Sequence, residues 1–91
     1  MSFANENPEL SRAGSLDSEL LRTFLAIAET GSFTKGAERI FRSQPAVSLQ
    51  IKRLEEMLGN PVFERRARGV ALSPLGERLR PAAERIVALL D

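Results

Sequence analysis

Gln44 and Ser48 stand one helical turn apart, and Lys52 follows after a further turn. On a helix this spacing brings an amide, a hydroxyl and an ammonium to one side. The amide offers both donor and acceptor, the hydroxyl does the same at short reach, and the ammonium suits an anion. Arg65, Arg66 and Arg68 crowd into a second short segment, where guanidinium forks match oxyanions such as phosphate. The same arginines also suit a solvated hairpin tip that resists edge-to-edge association. The chain has no Cys, His or Tyr, so the usual zinc and copper ligands, a disulfide framework and the commonest general base are missing. Its carboxylates show no paired spacing, and an enzyme is the weakest reading. No cofactor or metal is expected.

Charge supports a polyanion partner through its distribution, because the formal net of the chain is only +1. Residues 1–15 carry Glu6, Glu9 and Arg12. Residues 32–72 hold Lys35, Arg39, Arg42, Lys52, Arg53, Arg65, Arg66 and Arg68 against Glu38, Glu55, Glu56 and Glu64. A basic middle of this kind favours an anionic surface. Charges also mark ordinary solvated faces, and Arg53 has Glu55 or Glu56 within reach for a weak helical ion pair.

Ninety-one residues, 43% of them hydrophobic, support one small globular core. Residues 1–15 are polar and lack a sustained apolar period, which predicts a disordered leader. From Leu16 onward Leu20, Leu21, Phe24, Leu25, Ile27 and Ala28 recur at helical spacing, with Asp17 or Ser18 to cap the helix and Gly31 to end it. A short second helix follows, capped by Ser32 or Thr34, with Phe33, Ala37, Ile40 and Phe41 on one face and its end near Phe41. Ser43-Gln44-Pro45 opens a third helix, where Ser43 reads first as a cap and Pro45 removes no intrahelical bond.

Val47, Ile51, Leu54 and Leu58 form the apolar stripe of that third helix, and Gly59 ends it. Pro45, Ser48, Leu49, Lys52, Arg53 and Glu56 therefore face outward. Leu49 points almost directly away from the core stripe, so burial within this domain does not account for it. Beyond Asn60-Pro61 the period drops toward two, with strands expected at Val62–Arg65 and Val70–Leu72 around a turn of Arg66, Ala67, Arg68 and Gly69. Ser73-Pro74 caps a last helix in which Leu75, Leu79, Ala82, Ile86 and Leu89 repeat, and Pro81 is expected to bend it. No stretch of 18 or more apolar residues and no basic-then-apolar N-terminus is present, which predicts a cytoplasmic protein without membrane contact.

Helix, short helix, tight turn, helix, hairpin and helix is the order of a winged helix-turn-helix followed by a long C-terminal linker helix, a mainly α fold. In that fold one helix enters the DNA major groove. Gln44 and Ser48 then suit base edges, and Lys52 with the wing arginines suits phosphates. A protein-docking module built on Leu49 and the last helix is the competing reading. The apolar surface of the last helix exceeds what a core of this size covers, which itself suggests a partner.

The run Phe24-Leu25-Ala26-Ile27-Ala28-Glu29-Thr30-Gly31-Ser32-Phe33-Thr34, then Ala37-Glu38-Arg39, resembles the DNA-binding domain of LysR-type transcriptional regulators. So do Ser43-Gln44-Pro45-Ala46-Val47-Ser48-Leu49-Gln50-Ile51 and Leu54-Glu55-Glu56-Met57-Leu58-Gly59. Pro61-Val62-Phe63-Glu64-Arg65 and Gly69-Val70-Ala71-Leu72-Ser73 continue the match. The resemblance implies a bacterial regulator that binds double-stranded DNA at an imperfect palindromic operator. It places a winged helix-turn-helix at 16–73, with the recognition helix at 43–58 and the wing at 62–72, and a dimerisation helix at 74–91. The DNA-contacting set is then Thr34, Arg42, Ser43, Gln44, Pro45, Ser48, Leu49, Lys52, Arg65, Arg66 and Arg68. Leu75, Leu79, Ala82, Ile86, Leu89 and Leu90 would supply a homodimer face, with tetramers in full-length relatives. The effector-binding domain of those relatives is expected to be absent here, and with it any small-molecule effector site. Three positions depart from the family pattern: Gly36 replaces a usual alanine, Arg42 a frequent apolar residue and Leu49 a common arginine. Gly36 is expected to loosen the second helix by about 1 kcal/mol relative to Ala. Leu49 shifts the expected base contacts toward Gln44, Ser48 and the wing.

Overall fold

The computed structural model describes residues 17–91, so the expected disordered leader at 1–15 lies outside the described residues. Helix α1, Ser18–Thr30, starts where the Asp17 carboxylate accepts the Leu20 amide at 3.0 Å and stops at Gly31 in the left-handed region. Helix α2, Phe33–Arg39, takes Ser32 as its cap, whose hydroxyl accepts the Lys35 amide at 3.1 Å. Helix α3, Gln44–Leu58, starts at Ser43, which accepts the Ala46 amide at 3.2 Å. In each case a side-chain oxygen takes up an amide that has no intrahelical partner.

The antiparallel hairpin pairs β1, Phe63–Arg65, with β2, Val70–Leu72, in the register Phe63–Leu72, Glu64–Ala71 and Arg65–Val70. Val62, expected to open the first strand, instead lies fully buried before it. Helix α4, Pro74–Leu90, follows at once and continues through Pro81. That proline sits on the exposed side, where a lost amide donor leaves no buried gap.

Leu21, Phe24 and Ile27 of α1, Ala37 of α2, and Val47, Ile51 and Leu54 of α3 meet Val62 and Ala83 in one core. Leu58 is half-buried at its edge. The α1, α2 and α3 residues are the stripes that helical spacing predicts, so apolar burial alone orients α3 and turns its other side to solvent.

Two expectations are corrected. Helix α2 ends at Arg39, near Phe41 as expected, but Phe41 does not join the apolar face of Phe33, Ala37 and Ile40 and is 94% exposed. The reason is the turn geometry. Phe41 adopts φ 57°, its amide bonds the Glu38 carbonyl at 3.2 Å, and the Arg42 amide bonds the Ala37 carbonyl at 2.9 Å. These two bonds form a Schellman helix end, whose left-handed position glycine usually fills. Gly36, in turn, does not act as a loose spot. A Cβ built there would lie 2.8 Å from Ile27 Cγ1 and 3.0 Å from Ile27 Cα. The missing side chain is what lets α2 lie close against α1, so the propensity advantage of alanine does not apply.

Candidate nucleic-acid interface

The first turns of α3 and the wing open onto one groove, whose walls include Thr34, Gln44, Ser48, Lys52, Arg65 and Arg66. Gln44 donates from Nε2 to the Ser48 hydroxyl at 3.2 Å. That bond leaves Gln44 Oε1 and its second amide hydrogen for a ligand. Lys52 is exposed at one side of the groove and Arg65 at the other. Arg66 stays within 3.2 Å of Glu64, with both side chains about half exposed.

Pro45, Leu49 and Arg68 are exposed but stand outside that groove, as do Arg42 and Ser43. Pro45 and Leu49 line up one turn apart on the adjoining strip of α3. Ser43 spends its hydroxyl on the helix cap. Arg42 forms an ion pair with Glu19 at the start of α1. The side chain ties the turn to α1 from the surface. Arg53 forms no ion pair among the described residues. The expected pairing with Glu55 or Glu56 is not formed, and Glu55 turns instead to the base of the wing.

Glu55 Oε2 accepts the amide of buried Val62 at 2.8 Å, joining α3 to the base of the wing. The Thr23 hydroxyl, on a fully buried residue, donates to Gln50 Oε1 and so fixes the back of α3 to α1. Phe63 packs its ring 5.4 Å from Phe24 and, edge-on, 5.7 Å from Phe33. At the wing tip Arg66 donates its amide to the Gly69 carbonyl at 3.0 Å, and Val70 bonds the Gly31 carbonyl at 2.9 Å. Gly69 has φ 80°, and a Cβ there would sit 2.1 Å from the Gly31 oxygen. These supports were not read from the sequence. Only Glu55, one turn before Gly59-Asn60-Pro61, carried a usable signal: an acid placed to cap the chain as it leaves the helix.

The apolar residues of α4 separate into two groups. Leu75 and Leu79 are half-buried against this domain's own core, together with Val87. Ala82, Ile86, Leu89 and Leu90 are exposed, Leu89 at 86% and Leu90 at 61%. Arg22 clamps the end of the helix by bonds of 2.6 and 3.3 Å to the Asp91 carboxylate. The pairing raises the guanidinium pKa and lowers that of the carboxyl through the hydrogen bond they share. No described helix is long and apolar enough to cross a membrane.

Comparison with known proteins gives the same outline. The family model for bacterial regulatory helix-turn-helix proteins of the lysR family matches residues 18–77. The HTH-type transcriptional regulator DgdR of Burkholderia cepacia is 47% identical over 77 residues, covering 85% of this chain and 26% of that protein. The regulator HdfR of Yersinia enterocolitica is 42% identical over 73 residues, covering 80% and 25%. The chain thus spans about a quarter of the length of the curated relatives it matches. Among solved structures, a CbnR DBD–DNA complex superposes with a TM-score of 0.78 at 35% identity, covering 82% of this chain and 86% of that one. A complex of the BenM DBD with catB site 1 DNA gives 0.79 at 37% identity, covering 84% and 85%. Four helices and a two-stranded wing, the matched family model and these neighbours agree: the chain belongs to the LysR family of bacterial regulatory helix-turn-helix proteins and carries its winged helix-turn-helix domain.

Proposed function

We propose that the chain reads a specific duplex DNA site as a homodimer, with α3 in the major groove and the wing on the flanking backbone. The observation that carries this reading is the shared groove, in which Gln44, Ser48 and Lys52 of α3 face Arg65 and Arg66 of the wing. Gln44 supplies the paired donor and acceptor that an adenine edge requires, and Ser48 adds a small hydrogen-bonding group that lets the helix approach. Lys52, Arg65, Arg66 and Arg68 neutralise phosphates and fix the register. Thr34, Arg42, Ser43 and Pro45 border the same contact surface, and Ser43 acts mainly by starting the helix.

The division is a DNA-reading unit over 16–73 and a pairing helix over 74–91. Ala82, Ile86, Leu89 and Leu90 form the outer pairing surface, whereas Leu75 and Leu79 support it from beneath. Two copies place two α3 helices one helical turn of DNA apart, which matches an imperfect palindrome, and the full-length protein forms tetramers. The chain works in the cytoplasm as a regulator without catalytic activity, and any effector response belongs to another domain. The DNA-bound CbnR and BenM structures support the duplex as ligand. The test is affinity for a selected site, measured by fluorescence anisotropy for the chain, Gln44→Ala and Arg65→Ala. Both variants are expected to bind at least tenfold more weakly, about the value of one good base or charged contact. Unchanged affinity in both overturns the assignment of this groove.

A further inference from the structure

Leu49 is half exposed on α3, although leucine belongs among the residues most often buried. It lies about 200° around the helix from Val47, a residue with no exposed surface. No repacking within this domain therefore covers it. One turn earlier on the same strip stands Pro45, also exposed, whose ring has no N–H to donate. Pro45 and Leu49 thus form an apolar strip beside the polar strip of Gln44 and Ser48.

In the major groove an A·T pair presents an adenine edge with one donor and one acceptor, and beside it the thymine O4 and 5-methyl group. The methyl is the apolar feature a base pair shows there. A polar strip and an apolar strip side by side match that pattern better than they match G·C, whose major-groove edge carries no methyl group.

We infer that Leu49 is a specificity-determining residue that packs against the 5-methyl group of a thymine in each half-site, so that this chain selects thymine where an arginine at that position would select guanine. The inference rests on the DNA-reading function proposed above. Leu49 adds discrimination by excluding water from the methyl and needs no hydrogen bond of its own.

The experiment uses the 91-residue chain, a site selected from random duplexes, and the same site with each thymine replaced in turn by deoxyuridine, which lacks only the methyl. One thymine per half-site is expected to be sensitive, with binding falling about three- to tenfold on loss of the methyl, the value of one buried apolar carbon. Leu49→Ala should bind the thymine site more weakly and respond less than twofold to deoxyuridine at that position. Leu49→Arg should shift the selected base from thymine toward guanine. Thermal unfolding of both variants reports folding independently, and an exposed helix position predicts little change in midpoint. Tight binding that no deoxyuridine substitution alters overturns the inference and leaves the DNA-reading function standing, as does an equal deoxyuridine response in Leu49→Ala. Failure to enrich any site overturns both.

Discussion

Replacing Gly76 by alanine sets helix propensity against packing, and the structure decides between them. Gly76 lies in the first turn of α4, where alanine would gain up to about 1 kcal/mol on propensity. A Cβ at this position would stand 2.2 Å from the Val62 carbonyl oxygen and 3.0 Å from Leu72 Cδ2. That is about 1 Å inside an ordinary carbon–oxygen contact. The obstacle is backbone, and it cannot rotate away. The Val62 carbonyl accepts the Ser73 amide at 3.0 Å, and Ser73 donates its hydroxyl to the Pro61 carbonyl at 2.7 Å while accepting the Gly76 amide at 3.0 Å. Moving α4 outward strains all three bonds, at a cost of about 2 kcal/mol together, and overpacking adds about 1–3 kcal/mol. After the propensity gain is subtracted, Gly76→Ala should destabilise the fold by about 2–4 kcal/mol. For a domain of this size that lowers the melting temperature by roughly 8–30 °C. Calorimetry or circular dichroism during heating reads the shift. An unchanged or raised midpoint refutes the packing argument.

Further predictions follow from single contacts. Phe41→Gly should raise stability by about 1 kcal/mol, because the Schellman position strains a side chain that buries nothing; a lower denaturation midpoint contradicts it. Glu55→Ala leaves the Val62 amide without its acceptor and should cost about 1–3 kcal/mol in chemical denaturation, and hydrogen exchange at Val62 should rise with it. Lys52→Ala should weaken DNA binding similarly across sequences and reduce the salt slope by about one per protomer; a change in base preference alone would argue against a phosphate contact. Asp91→Asn tests the Arg22 clamp. Because the folded carboxyl titrates below its ordinary value, its contribution is present above the unfolded pKa and is lost as pH falls through the lowered folded one. The small difference in melting temperature between the chain and Asp91→Asn at pH 7 should therefore shrink as pH falls below the ordinary carboxylate range.

Helix starts were legible because each rests on one oxygen-bearing side chain next to its helix: Asp17, Ser32, Ser43 and Ser73 all cap as their types suggest. The core stripe of α3 was legible for a similar reason, since Val47, Ile51 and Leu54 follow the helical period and all three are buried. What escaped depends on contacts between distant segments. Phe41 continues the apolar face of α2 in sequence, yet the need to reverse the chain within a few residues turns it out to solvent. Gly36 reads as a weak helix residue until Ile27 is seen to occupy its Cβ position. In the groove, Gln44, Ser48, Lys52, Arg65 and Arg66 were identifiable by type and spacing. Their supports Thr23–Gln50, Glu55–Val62 and the Phe63 rings pair residues whose partners no local pattern reveals.

The central claim is that the groove between α3 and the wing seats a specific duplex. Selection of this chain against random duplex DNA, with binding of the recovered sequences repeated at two salt concentrations, tests it most directly. A dyad-symmetric motif whose affinity falls steeply with salt is the result the account predicts. No enriched motif, with binding that is weak or indifferent to salt, would contradict it.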